Sequence, residues 1–86
     1  MEGQMHVVIV KQDQDCYAFL APLKAKLNVG DMVMVRTRFG ESEGICITPS
    51  FWVEDQKAFC SLWGTQPEHM KPVIGLYRVE RFDEEE

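Results

Sequence analysis

A chain of 86 residues has room for one hydrophobic core and not for two. Its composition, 45% hydrophobic and 27% charged with nine aromatics, is that of a folded protein and excludes general disorder. The formal charge of −5 gathers at the end: without Asp83, Glu84, Glu85 and Glu86, residues 1–82 carry nine basic and ten acidic side chains, too even a balance for coating duplex DNA by bulk charge.

The division that follows is a single domain over 1–82 and an acidic, disordered tail over 83–86. The tail reads as a solvated, frayed end, with an electrostatic mimic of a polyanion as its alternative use. The three cysteines, at 16, 46 and 60, are odd in number and widely spaced, which argues against a disulfide framework. They form no CxxC pair, and His6 and His69 lie far apart, so no zinc site or other metal is expected. Apolar neighbours make each cysteine a candidate small buried hydrophobe. No cofactor is implied. The first residues show no basic region followed by an apolar stretch, and no apolar run approaches membrane-spanning length, so the expected location is cytoplasmic, with no membrane contact expected.

In chain order, Met5–Lys11 is a β-branched run of strand length. Gln12–Asp15 supplies a polar turn, and Cys16–Ala21 suits a second strand paired back on the first. Pro22 ends it. Leu27–Asp31 reads as a tight turn, with Gly30 free to take a positive φ. From Met32 the pattern has period two: Val33, Val35, Thr37 and Phe39 share the buried face, and Met32, Met34, Arg36 and Arg38 the other. Gly40–Gly44 reads as a polar connection and Ile45–Thr48 as the return strand.

After Pro49 the pattern changes. Residues 54–64 open with acids and close with Gly64, with Phe59, Leu62 and Trp63 at helical spacing, so a helix of two or three turns is predicted there. Phe51–Val53 has the alternative of extending the sheet. Thr65–His69 is a loop around Pro67, and Pro72–Phe82 a closing strand, with Gly75 at a bulge or corner. The expected fold is mainly β: a small five-stranded SH3/OB-like barrel with one short helix before the last strand, curled because a flat sheet would leave edges exposed.

Tyr17–Pro22, Val29–Val35, Phe39-Gly40, Gly44-Ile45 and Met70–Leu76 occur in an order that resembles the N-terminal, DNA-3′-end-binding domain of the primosomal replication-restart helicase PriA. That family carries Phe-x-Tyr-x-x-Pro, then Val-x-x-Gly-x-x-Val-x-Val, a Phe-Gly turn, a Gly-Ile return and a Leu-Lys-Pro-Val strand. PSP1-like small barrels share the Val-Gly-Asp-x-Val-x-Val hairpin and are the second family it is similar to. The resemblance implies a small barrel that binds single-stranded DNA or a DNA 3′ end. It departs from the family at Ala18, where an Asp helps to hold the terminal nucleotide, and in having no helicase motor.

No phosphate loop, Ser-x-x-Lys or nucleophile elbow is present, so a non-catalytic binding module is expected rather than an enzyme. Nucleic-acid binding would rest on Tyr17, Phe19, Arg36, Arg38 and the Gly40 turn, with Lys24 and Lys26 on the preceding segment and Trp52 as a further stacking platform. Arg36 and Arg38 have a plainer use, solvating a strand and opposing Glu41 and Glu43. Trp52 and Trp63 likewise suit core or end-cap positions. The alternative function is a small regulatory or adaptor protein, phage- or mobile-element-encoded, that engages another protein through Met32 and Met34.

Overall fold

The computed structural model describes residues 4–24 and 26–77. The outer part of the expected closing strand (78–82) and the acidic tail (83–86) lie outside the described residues. The fold is mainly β. Six strands, β1 (Met5–Gln12), β2 (Asp15–Leu20), β3 (Met32–Thr37), β4 (Gly40–Cys46), β5 (Phe51–Val53) and β6 (Val73–Tyr77), form one sheet with antiparallel pairing between neighbours. One α-helix, α1 (Gln56–Leu62), and a 3₁₀ turn over Pro67–His69 lie between β5 and β6. The sheet order is β2-β1-β4-β3-β6, with β5 added on β1.

The expected count of five strands is corrected to six, because Phe51–Val53 pairs with Met5–Val7 as a strand of its own. The long first strand makes this feasible. Its edge away from β2 is shared: Met5–Val7 pair with β5, and Val10 and Lys11 pair with β4. Where the chain crosses from β4 to β5, Ile47 N–H donates to Ile9 O at 2.9 Å and Thr48 Oγ1 accepts from Ile9 N–H at 3.3 Å. A hydroxyl thus takes the place of the missing ladder carbonyl.

Both faces of β1 are covered, which is why Met5–Val10 is buried throughout and apolar except at His6. On one face Val8 and Val10 join Phe19, Leu27, Val33, Val35, Cys46 and Val73 in the larger core. On the other, Met5 and Val7 meet Cys60 and Met70, with Ala18, Leu20 and Phe59 packed around them. The helix covers this second face. Asp55 caps it, its side chain accepting from Ala58 N–H at 3.0 Å. It ends in a Schellman arrangement, with Gly64 at φ +70°, Gly64 N–H donating to Ser61 O and Thr65 N–H to Cys60 O.

Two further expectations are corrected. Gly40–Gly44 is strand, not a polar connection: β4 starts at Gly40 and pairs residue by residue with Thr37–Met32. Its polar look has a cause, since a Cβ on Gly44 would lie closer than 3.0 Å to Val10 Cγ1 and 3.0 Å from Lys11 O, so only glycine lets β4 approach β1. Phe39 does not share the buried face of Val33 and Val35. It is 89% exposed, in the two-residue turn Arg38-Phe39 that precedes Gly40 at φ +114°.

The register also slips once. Met34 faces Gly75 while Val35 faces Val73, leaving Ile74 as the extra residue beside the expected glycine. At the far ends of the path, Leu20 of β2 meets Pro72 in an isolated parallel bridge, and Leu20 N–H donates to Lys71 O at 2.8 Å. These contacts bring the end of β2 to the residues that lead into β6. The rest of β2's outer edge has no strand partner among the described residues.

Candidate functional site

The incomplete seam between β2 and the Lys71–Pro72 segment opens into a cleft of about 1030 Å³. Its floor is β2, from Asp15 to Phe19. One wall is the β3–β4 hairpin end, with Arg38, Phe39, Glu41 and Glu43; the other is formed by Trp63, Thr65, Met70 and Lys71. Local chemistry fixes each wall. Gln12, the last residue of β1, donates through Nε2 to Ser42 Oγ and to Glu43 O, the latter at 3.1 Å, which pins the hairpin beside the floor. Thr37 Oγ1 accepts from Phe39 N–H at 3.1 Å and donates to Gly40 O at 2.8 Å, closing the turn. The glycine stop of α1 directs Thr65 onward into the opposite wall.

Of the residues expected to bind nucleic acid, Tyr17, Phe19 and Arg38 line the cleft. Tyr17 is exposed, with its hydroxyl 3.4 Å from Asp15 Oδ2 and its ring edge-on to Phe19. Phe19 is almost wholly committed to the core. Arg38 lies over the Phe39 ring, its guanidinium carbon 5.4 Å from the ring centroid. Gly40 sits at the hairpin tip, just outside the lining residues.

Arg36, Lys24 and Lys26 are exposed but do not line the cleft. Arg36 takes the plainer use anticipated for it. It pairs with Glu41 across the hairpin, Nη2 to Oε2 at 3.9 Å, a solvent-exposed contact of small energetic weight. Met32 and Met34 are half-buried on the outer face of β3, opposite Ile45 and Glu43, also away from the cleft. Ala18, at the position where the resembling family has an Asp, lines the cleft on the Met70 side and packs against that apolar cluster.

Trp52 is exposed yet occupied: it stacks on its cross-strand partner His6 at 4.6 Å and 19° between planes. His6 itself is buried, with Nδ1 donating to Pro22 O at 2.9 Å. Because a carbonyl only accepts, Nδ1 carries the proton, and the ring serves as a tie between β1 and the end of β2.

The residues that the sequence left unmarked are the ones that set the cleft's charge. Asp13, Asp15, Glu41 and Glu43 stand against Arg38 and Lys71 among the charged lining residues, with Glu41 also paired to Arg36 on the outer side of the hairpin. Asp13 and Asp15 read as turn residues, and Glu41 and Glu43 as counterions for the arginines; nothing in the spacing shows that the two pairs converge. Phe39 and Trp63 add exposed aromatic surface at the rim.

The expectation of three buried cysteines is also corrected. Cys16 is exposed on the cleft floor, because its neighbour across the ladder is the exposed Lys11, at the end of β1 where neither core reaches. Cys46 and Cys60 are buried. Burial, with Asp31 nearby, pushes the Cys46 thiol up to about 11, and burial with Glu68 raises Cys60 as well. Among the described residues no cluster of His, Cys, Asp and Glu is arranged to hold a metal ion, and no helix is long and apolar enough to cross a membrane.

Compared with known proteins, the chain matches no family model, no curated protein and no solved structure. The resemblance to the PriA domain stands on the sequence motifs alone.

Proposed function

We propose that this protein is a non-catalytic binding module that takes a segment of another protein into the cleft beside β2. The observation that carries this reading is the charge balance of the lining residues, four acidic against two basic around one open cleft, with Glu41 further paired to Arg36 at its outer side. A phosphodiester strand would bring a negative charge with every nucleotide into that field, whereas a basic polypeptide is attracted to it. Exposed Tyr17, Phe39 and Trp63 supply the aromatic contact area common at protein interfaces. This is the adaptor class of function, placed at the cleft rather than at Met32 and Met34.

One observation favours a second reading, single-stranded DNA. The same three aromatics stand near Arg38 and Lys71, and aromatic stacking contributes about 1–3 kcal/mol per base. A charge test separates the two. The Glu41→Gln, Glu43→Gln double variant weakens a basic peptide and strengthens an oligonucleotide if the cleft is the site. Fluorescence anisotropy with a labelled basic peptide and a labelled oligothymidylate, its 3′ end free or blocked, reads both. Peptide binding unaffected by the double variant would remove the cleft from the proposal. Tight oligonucleotide binding that collapses with salt would replace the protein partner by DNA.

A further inference from the structure

We infer that the outer edge of β2 is a docking strand, on which a basic, extended segment of a partner protein pairs through its backbone with Cys16 and Ala18. This rests on the protein-binding reading above and specifies how the segment is held.

The direction of the β2 backbone groups follows from two bonds. Ala21 N–H donates to His6 O at 2.8 Å, toward β1, and Leu20 N–H donates to Lys71 O at 2.8 Å, away from it. Backbone groups of an antiparallel strand alternate in direction with period two. Tyr17 and Phe19, opposite Val10 and Val8, therefore spend their N–H and C=O on β1, while Cys16 and Ala18 present theirs outward. Outward is the cleft, which both residues line. The pairing that starts at Leu20 and Lys71 stops there, since the preceding residues Pro67–His69 coil into a 3₁₀ turn. Among the described residues a row of backbone donors and acceptors is left facing a cavity, which is the arrangement that strand addition uses. Asp15–Phe19 at about 3.3 Å per residue offers roughly 17 Å of edge, enough for a segment of about five residues.

The walls define the partner's chemistry. Ala18 and Met70 belong to the cluster beneath α1 and Phe19 to the opposite core, so the two faces of β2 have different surroundings. Side chains of an added strand alternate between those faces. Asp13, Asp15, Glu41 and Glu43 outnumber Arg38 and Lys71 in the lining, and Met70 and Trp63 add apolar surface, so the segment that fits carries Lys or Arg together with apolar residues. The partner segment combines basic and apolar residues.

The test uses the full chain, isotope-labelled, and three probes: the capped heptapeptide Lys-Val-Lys-Val-Lys-Val-Lys, its counterpart with Glu for Lys, and a twelve-residue oligothymidylate. In the free protein the amides of Cys16 and Ala18 exchange fast, and those of Tyr17, Phe19 and Leu20 slowly. The basic peptide protects the Cys16 and Ala18 amides and slows alkylation of the Cys16 thiol; the acidic peptide does neither. N-methylating the peptide's ladder-facing amides weakens binding by roughly tenfold for each bond lost. Ala18→Pro removes an outward donor and no β1 bond, so it weakens the peptide while Tyr17 and Phe19 stay protected; if that variant fails to fold, the N-methylated probe decides.

Shifts at Glu41, Glu43 and Trp63 without protection of Cys16 and Ala18 would overturn strand pairing and leave the protein-binding cleft standing. A cleft perturbed by oligothymidylate and by neither peptide, or by no probe at all, would overturn the protein-binding reading and this inference with it.

Discussion

Gly44 is the point at which the β3–β4 arm, one wall of the cleft, is held against β1, and its replacement gives a sharp test of that geometry. An alanine Cβ there would fall closer than 3.0 Å to Val10 Cγ1, with Lys11 O at 3.0 Å and Gln12 Cγ at 3.1 Å. Gln12 can swing away. Val10 is fully buried and Lys11 O is backbone, so neither yields without moving the strand. Overpacking of this kind costs about 1–3 kcal/mol, and two rigid neighbours place Gly44→Ala in the upper half of that range. Lower backbone entropy of the unfolded chain offsets about 0.4–1 kcal/mol, leaving a net loss of about 2 kcal/mol. For a domain of this size that lowers Tm by roughly 8–16 °C.

A double-mutant cycle identifies the cause. Val10→Ala deletes two buried methyl groups, about 1.6 kcal/mol by transfer alone and more with the cavity. In the double variant the methyl group introduced by Gly44→Ala enters the vacated space, so the combined loss falls short of the sum by at least about 1 kcal/mol. Urea denaturation of the four proteins, with m-values checked for equality, measures the coupling. Losses that add to within about 0.5 kcal/mol would refute the close approach of β4 to β1, and with it the placement of the hairpin wall.

Two other outcomes follow from the cysteines. Under native conditions iodoacetamide modifies Cys16 alone, and Cys46 and Cys60 react only after unfolding; intact mass therefore moves from one adduct to three on adding denaturant, and a second fast native adduct would contradict the burial of β4 or α1. Stability also falls at alkaline pH. The Cys46 thiol ionises near 9.0 when unfolded and at about 11 when folded, so its contribution is complete below pH 9 and is lost as pH rises toward 11. Urea midpoints across that window decline in the native protein and decline less in Cys46→Ala; equal slopes would show that the thiol is not desolvated.

Much of the framework was legible because it depends on neighbours in sequence. The apolar run of β1, the period of two at Val33 and Val35, and the Asp55 and Gly64 signals around α1 are local, and each appears where the residues placed it. Arg36 opposite Glu41 was readable for the same reason, since a hairpin register ties the two. Phe39 misled because alternation carries no notice of where a strand ends and its turn begins. Gly40–Gly44 misled because glycine and polar residues look like loop, whereas here Gly44 is small to admit β1 and Glu41 and Glu43 face outward from a strand. The cleft was not legible at all. It joins Asp13 and Asp15 to Glu41 and Glu43, and Tyr17 to Trp63, through a sheet path that local patterns do not specify.

The position of the cleft follows from what the chain does at Pro67. Pairing between β2 and the last segment starts at Leu20 and Lys71, but Pro67 opens a 3₁₀ turn that carries the preceding residues off the strand line. The segment from Pro67 to Lys71 therefore does not extend that pairing to Ala18 and Cys16. An unprotected edge of this kind invites self-association, and short strands and charges are the usual defence. Both are present, in six residues of β2 and in Asp13, Asp15, Glu41 and Glu43 around it. Carboxylates on both sides make two copies of this edge repel one another while leaving it attractive to a basic strand. The features that keep the edge from pairing with itself are the ones that select its partner.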